Sequence, residues 1–248
     1  MLSNKVKVVI PARYGSTRLP AKPLLEINSM PIFWHVAQRV LEAGIPLEDM
    51  IIATDHDSIF EKAKELKLPV LMTSPEHISG TDRVNEVAVK LNWAEEITVI
   101  NVQGDEPLIP TQLIQNLIKF TLNNQFDIST VVTPIENHEN IVSPNIVKAI
   151  VTELGEVLYF TRSSAPINRD DPSDLSLANR HIGVYAYTVK LLSKFCSLPE
   201  AKLEKCEKLE QLRALTNKIT IGALSYSGAI PHGIDTKSDF LKIKALME

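Results

Sequence analysis

VKVVIPARYGSTRLPAKPL, residues 6–24, is the stretch on which the reading of the fold turns. Its apolar opening, Val6-Lys7-Val8-Val9-Ile10, has the composition of a buried strand, and it empties into a loop carrying Arg13, Arg18 and Lys22. Three cations within ten residues, on a chain of formal net charge −4, point to a local anion site rather than a generally basic protein. Ser16 and Thr17 add hydroxyls, and unpaired backbone N–H groups in such a loop can form a nest for phosphate oxygens. Taken alone, the loop reads equally well as an exposed turn with solvated charges.

Working outward, Pro31 stands where a helix would open, and Phe33, Val36, Ala37, Val40 and Leu41 recur at helical spacing up to Gly44. Met50–Thr54 reads as a second strand, Ile59 to Leu66 as a helix and Val70–Met72 as a third strand. That alternation predicts right-handed βαβ units and a largely parallel sheet. In Ser79-Gly80-Thr81-Asp82-Arg83, Gly80 permits a tight backbone and Thr81 is a candidate helix cap. Ile97–Val102 is the most strand-like run, followed by Gln103-Gly104-Asp105-Glu106-Pro107. Ligands in open α/β sheets gather beyond the carboxyl ends of strands, where a carboxylate is a candidate Mg²⁺ ligand; a tight turn built on Gly104 explains Asp105 equally well.

From about residue 126 the rhythm changes. Residues 128–132, 146–151, 157–160 and 182–187 are strand-like with little helix between them, predicting an antiparallel or mixed portion joined to the parallel half. Residues 165–179 read as an exposed loop. Helices follow at 188–197 and 203–215, a last strand at 219–224 and a closing helix at 236–247, capped by Thr236 or Asp235. No repeat, low-complexity tract or linker divides the chain, so residues 1–248 are expected to form one domain.

The composition excludes several classes. With 44% hydrophobic and 23% charged residues, the chain is ordinary for a globular protein. No apolar run approaches the ~20 residues of a membrane span, and no signal-peptide pattern opens it, so the expectation is a cytoplasmic protein with no membrane partner. Cys196 and Cys206 lack a CxxC neighbour or ligand cluster and read as reduced thiols. No basic, aromatic-interleaved surface suggests nucleic acid.

Nine strings occur in a telling order: PARYGSTRLPAKPL, ATDHD, SGTDR, INVQGDEPLI, PNIVK, LYFTRSSAPI, RHIGVYAY, LEKCEKLEQLRAL and GIDT. Together they resemble the 3-deoxy-manno-octulosonate (Kdo) cytidylyltransferases, the CMP-Kdo synthetases, from Val8 to the closing helix. The resemblance implies a three-layer α/β/α fold of nucleotide-diphospho-sugar transferase type, with a mixed, mainly parallel central sheet and a smaller antiparallel portion. It also implies a Mg²⁺ cofactor, a homodimer, and conversion of CTP and Kdo to CMP-Kdo and pyrophosphate for lipopolysaccharide synthesis. Residues from about 126 to 187 would form the sugar-binding and dimerisation portion.

The same resemblance assigns roles. Ala12, Arg13, Ser16, Arg18, Lys22 and Gln103 would bind the nucleotide, with Lys22, Asp105 and Asp235 catalytic and the two aspartates, each at a strand end, holding the metal. Arg162, His181, Tyr185, Glu210 and Gln211 would face the sugar acid, and Arg83 would serve either ligand. In isolation, His181 reads as a core or surface histidine and Glu210 as a charge on a solvated helix face. The chain departs from the family at Ala21, where Gly is frequent and where alanine favours φ < 0, and at Lys237-Ser238, where Pro-Glu is common. Two alternatives stay open: a modified acid sugar such as 8-amino-Kdo, and a non-catalytic nucleotide-binding regulator. A sialic acid enzyme would lack LEKCEKLEQLRAL.

Overall fold

The computed structural model describes residues 5–15 and 18–248. The opening apolar run forms β1 (Val6–Ala12); the loop behind it ends in a short 3-10 turn at Lys22–Leu24 and a two-residue hairpin, β2 (Glu26–Ile27) and β3 (Met30–Pro31). Then come α1 (Ile32–Glu42), β4 (Met50–Thr54), α2 (Asp57–Glu65), β5 (Val70–Met72), α3 (Gly80–Lys90), β6 (Thr98–Asn101) and α4 (Thr111–Asn123). The second half contains β7 (Ile128–Pro134), α5 (His138–Val142), β8 (Lys148–Val151), β9 (Val157–Thr161), β10 (Asn179–Thr188), α6 (Val189–Ser197), α7 (Lys202–Glu207), α8 (Leu212–Thr216), β11 (Ile221–Ser225) and α9 (Lys237–Met247).

Among the described residues nine strands make one sheet, in the order β11-β7-β10-β6-β1-β4-β5, with β8 and β9 attached beside β10. The β1, β4, β5 and β6 ladders are parallel, as is β7 with β11, whereas β10 runs antiparallel to both β6 and β7. The mixed, mainly parallel sheet expected from the sequence is therefore present. The antiparallel strands are threaded into the middle of it, and only β8–β9 projects as an annex.

Strand alternation explains the layers. Val8 and Ile10 of β1 pack with Phe33, Val36 and Val40 of α1 and Leu113, Ile114 and Leu117 of α4, while Val9, between them, joins Val84 and Val87 of α3 and Leu192 and Phe195 of α6. Successive side chains of a strand point to opposite faces, so one β1 run feeds two apolar cores. Both faces are thus covered by helices, as parallel strands require. Among the described residues no helix is long and apolar enough to cross a membrane.

Three local expectations are corrected. Ser79, not Thr81, caps α3, its side chain accepting from the Asp82 amide; Thr81 lies inside the helix, its hydroxyl turned to Glu210. The single helix expected over 203–215 is two, because Lys208 takes a left-handed conformation (φ 53°) and ends α7. Helical spacing survived the break because Leu209 and Leu212 both bury in one core. Ala21 also sits at φ 53°, on the glycine side of the map, where an L-residue pays about 1–2 kcal/mol. Thr236 caps α9 with a reciprocal Asp239 contact, so Lys237 at the first helical position is accommodated.

Replacing Ala21 with glycine relieves the left-handed strain at the expense of a looser unfolded chain. The A21G variant is expected to be more stable by up to about 1 kcal/mol. Urea denaturation checks this, and a lower midpoint for the glycine variant would refute it.

Candidate active site

The N-terminal loop is tied down from two sides. The Tyr14 amide donates to Asp55 Oδ1 at 3.0 Å, the Tyr14 ring stacks on His56 at 3.7 Å, and the Ala21 amide closes the loop on the Tyr14 carbonyl at 3.2 Å. Asp55 also accepts from Arg83 Nη2 at 2.9 Å, so one carboxylate anchors both the loop and the guanidinium beneath it. Ser16 lies outside the described residues. Ala12 is buried at the carboxyl end of β1, opposite Thr54 of β4.

Beyond that end, Lys22 is 8% exposed, and its ammonium donates to Asp105 Oδ2 at 2.5 Å and to Asp235 Oδ1 at 3.3 Å. Arg18 Nη2 reaches the same Asp235 oxygen at 3.0 Å. Asp105 follows β6, as expected of a strand end. Asp235 does not: β11 closes at Ser225, and Asp235 comes from the irregular segment that leads into α9. The segment is brought in by a backbone bond from the Ile234 amide to the Asp105 carbonyl at 2.9 Å, with Ile234 fully buried. This also explains why periodicity could not pair the two carboxylates.

Arg13, Arg18, Lys22, Gln103, Asp105 and Asp235 line one cleft of about 250 Å³, together with Ala12, Arg83 and the start of α3 at Ser79-Gly80. The helix start offers free backbone N–H groups, suited to phosphate or another electron-rich group. Gly104 is required there, since a Cβ would lie 2.7 Å from the Pro11 carbonyl oxygen. Arg83 is only 2% exposed and is held by Asp55, the Thr73 hydroxyl and the Ser74 carbonyl. Burial pulls its pKa down and the Asp55 charge opposes that shift.

A second basin of about 260 Å³ shares Asp105 and Asp235 with the first and is lined on its far side by Arg180, His181 and His232. Burial, and then the Arg180 charge, push the His181 pKa down to about 3. The ring is therefore neutral at neutral pH, with Nε2 3.0 Å from the Thr130 hydroxyl. Glu106 is pushed up to about 8 by burial, then by the neighbouring Asp105 charge, with Arg180 opposing. Arg162 lines a third hollow with Arg18 and Asp235, while its Nε and Nη1 donate to the Glu207 and Pro144 carbonyls at 2.7 and 2.8 Å.

Tyr185, Glu210 and Gln211 are grouped elsewhere, around a void of about 20 Å³ with Thr81 and Tyr187. Burial raises the pKa of Glu210 and of Tyr185. The structure thus brings the nucleotide-side residues and both aspartates together, sets His181 and Arg162 in adjoining hollows, and keeps Tyr185, Glu210 and Gln211 around a separate small void. Arg180, Glu106 and His232 were missed by sequence reasoning. Each adjoins or nearly adjoins a residue that was singled out, in RHIGVYAY, QGDEPLI and PHGIDT, but nothing in those strings marks burial.

A mixed, mainly parallel sheet with a cation-lined cleft opposite two carboxylates defines a nucleotidyltransferase type of enzyme, and the comparisons with known proteins narrow it. A family model described as cytidylyltransferase matches residues 7–221. The 3-deoxy-manno-octulosonate cytidylyltransferase of Lawsonia intracellularis is 42% identical over 96% of this chain and 92% of its own length, and that of Cellvibrio japonicus is 42% identical over 97% of each. A solved CMP:2-keto-3-deoxy-manno-octonic acid synthetase complexed with CTP superposes with a TM-score of 0.90 at 36% identity, covering 98% of both chains. The chain belongs to the 3-deoxy-manno-octulosonate cytidylyltransferase family.

The depressed His181 pKa gives a stability profile. The unfolded chain takes up a proton near pH 6.5 that the folded chain refuses until about 3, so stability falls as pH drops through that window. The slope this one group contributes is at most about 1.4 kcal/mol per pH unit. His181→Gln is expected to flatten the decline in chemical denaturation between about pH 7 and pH 5. Identical slopes for variant and parent would show that His181 titrates normally.

Proposed function

We propose that this protein activates Kdo with CTP, releasing pyrophosphate and forming CMP-Kdo. The observation that carries the reading is the Lys22 ammonium set between Asp105 and Asp235, beside Arg18, at the junction of two basins. One basin has cations for a triphosphate; the other, with Arg180 and His181, suits an acid sugar rich in hydroxyls. The anomeric hydroxyl of the sugar attacks the α-phosphorus in line, and the bond to the β-phosphate breaks. Arg13, Arg18 and Lys22 balance charge on the phosphoryl oxygens and on the departing pyrophosphate. Ala12 and Gln103 border the nucleoside, and neutral His181 offers the sugar a hydrogen-bonding nitrogen. The role of Arg83 is to hold the loop from below through Asp55 rather than to bridge ligands freely.

Asp105 and Asp235 fit Mg²⁺: their oxygens already converge on one cation, Lys22, and Mg²⁺ favours one or two carboxylates completed by substrate phosphate. Among the described residues no group of three or more acidic, histidine or cysteine side chains converges, so the remaining ligands would come from substrate. When bound, the ion supplies Lewis-acid polarisation of the phosphate and a lowered pKa for the attacking hydroxyl. Tyr185 stands beside the basin-lining His181, ring centroids 5.4 Å apart, while Glu210 and Gln211 line a separate small hollow with Thr81.

We further read the protein as a cytoplasmic homodimer serving lipopolysaccharide synthesis. Val142, Leu154, Leu158, Ile167 and Leu177 are exposed apolar side chains within 142–177, the portion expected to carry the dimer contact. Light scattering that returned a monomer would remove that part.

A pyrophosphate-release assay with CTP, Mg²⁺ and Kdo, 8-amino-Kdo or N-acetylneuraminate tests the main reading. Kdo is expected to give the highest kcat/KM. Preference for the 8-amino sugar would favour the modified-sugar alternative, and no release with any of them would favour a regulator. Asp235→Asn is expected to abolish turnover and leave CTP binding within about threefold; near-parental turnover would remove Asp235 from the metal site.

A further inference from the structure

Behind the nucleotide cleft, at the end of β6, stands a side chain that no step above uses. Asn101 is fully buried, and its Oδ1 accepts from Gln103 Nε2 at 3.2 Å. One N–H of the Gln103 carboxamide is engaged by Asn101, and its Oε1 has no protein donor among the described residues, at the wall of the cleft. The carboxamide lies flat against Gly80: a Cβ there would meet Oε1 at 3.4 Å and Nε2 at 3.5 Å. Gly80 thus packs both amide atoms without distinguishing them, and the choice of which one faces the cleft falls to Asn101.

Asn101 could itself turn over, presenting Nδ2 to Gln103 and reversing the pair. Its far side opposes that. The Tyr187 hydroxyl lies beside the Asn101 carboxamide and the Thr81 hydroxyl, and Thr81 Oγ1 donates to Glu210 Oε2 at 2.7 Å. Glu210 Oε1, Tyr187 Oη and Asn101 Nδ2 are all buried without a partner in hydrogen-bond geometry among the described residues. They border or adjoin the 20 Å³ void, which has room for one water. The chain of polar groups ends on a carboxylate, which accepts. The Tyr187 O–H is consequently drawn towards Glu210, and its oxygen is left to accept from Asn101 Nδ2. Asn101 Oδ1 then faces Gln103, and Gln103 Oε1 faces the cleft.

We propose that Asn101 and Tyr187 are positioning residues for base specificity: by fixing the Gln103 carboxamide with its oxygen outward, they select a pyrimidine presenting an amino group over one presenting a carbonyl. Cytosine carries a donor at C4 where uracil carries an acceptor. An outward Oε1 accepts from the first and repels the second, and a wrongly paired buried polar group is a strong basis for rejection. The inference rests on the reading of the cleft as the CTP site and deepens it.

The test compares kcat/KM for CTP and UTP, with Mg²⁺ and Kdo, in the parent and in Gln103→Ala, Asn101→Ala, Asn101→Asp and Tyr187→Phe. Gln103→Ala is expected to lower the CTP/UTP ratio by roughly 10- to 100-fold. Asn101→Ala should follow it, Tyr187→Phe should lower the ratio by at least about threefold, and Asn101→Asp, which keeps an acceptor for Gln103 Nε2, should preserve it. A structural role alone would lower both rates together and leave the ratio unmoved. Should Asn101→Ala fail to fold, Tyr187→Phe removes a single oxygen and carries the test. An unchanged ratio in the Asn101 and Tyr187 variants, with Gln103→Ala collapsing it, overturns the proposal and leaves the CTP site standing. An unchanged ratio in Gln103→Ala also overturns it. A parent that turns over neither nucleotide overturns the functional reading instead.

Discussion

One ammonium held between two carboxylates sets the terms for the rest of this molecule. Lys22 is nearly buried, and a buried charge is costly unless it is paired. Asp105 and Asp235 face the converse problem, since two carboxylates converging on one point repel each other unless a cation intervenes. Lys22 and Arg18 neutralise the pair. The cations proposed to face a triphosphate therefore also keep the two carboxylates together, and the two halves of the site stabilise each other.

The sheet supplies the positions. β1 lies between β4 and β6, so the loop after β1, the ATDHD turn after β4 and the QGDE turn after β6 emerge side by side at the same edge. Asp55 links the first two by accepting from Tyr14 and Arg83, and Gly104 lets the third approach the Pro11 backbone. β10, antiparallel in the middle of the sheet, brings the residues at its start, Arg180 and His181, to that same edge. A parallel strand there would have sent them to the opposite end. The mixed topology is in this sense a requirement of having two adjoining basins.

Much of this was legible in the residues. The parallel half follows from uninterrupted apolar runs separated by helical spacing, because each strand there is buried on both faces, as Val8 and Val9 illustrate. The cationic loop and Asp105 were visible as charges just beyond a strand. Four things were not visible. The pairing of Asp105 with Asp235 depends on a backbone bond across the fold, and the break at Lys208 lies under an unbroken apolar pattern. Cap assignment at Ser79 over Thr81 turns on two residues of register. Glu106 and Arg180 owe their interest to partial burial and opposite charge, and His232 to its 3.2 Å contact with Arg180, none of which a local pattern encodes. The family resemblance supplied the Asp pairing and the sugar-side roles, and for Tyr185, Glu210 and Gln211 it pointed to side chains that lie around a separate small hollow.

The Ile234–Asp105 bond also orders events in time. A growing chain completes β1, its loop, α3 and the QGDE turn by residue 106, so every wall of the nucleotide cleft except Asp235 exists early in synthesis. The second carboxylate arrives only after the antiparallel strands, α6 to α8 and β11 have all been made. Until then Lys22 and Arg18 have one aspartate between them, and the cleft is a surplus of positive charge. A nascent chain carries that surplus until completion of the sheet brings Asp235 in and balances the site.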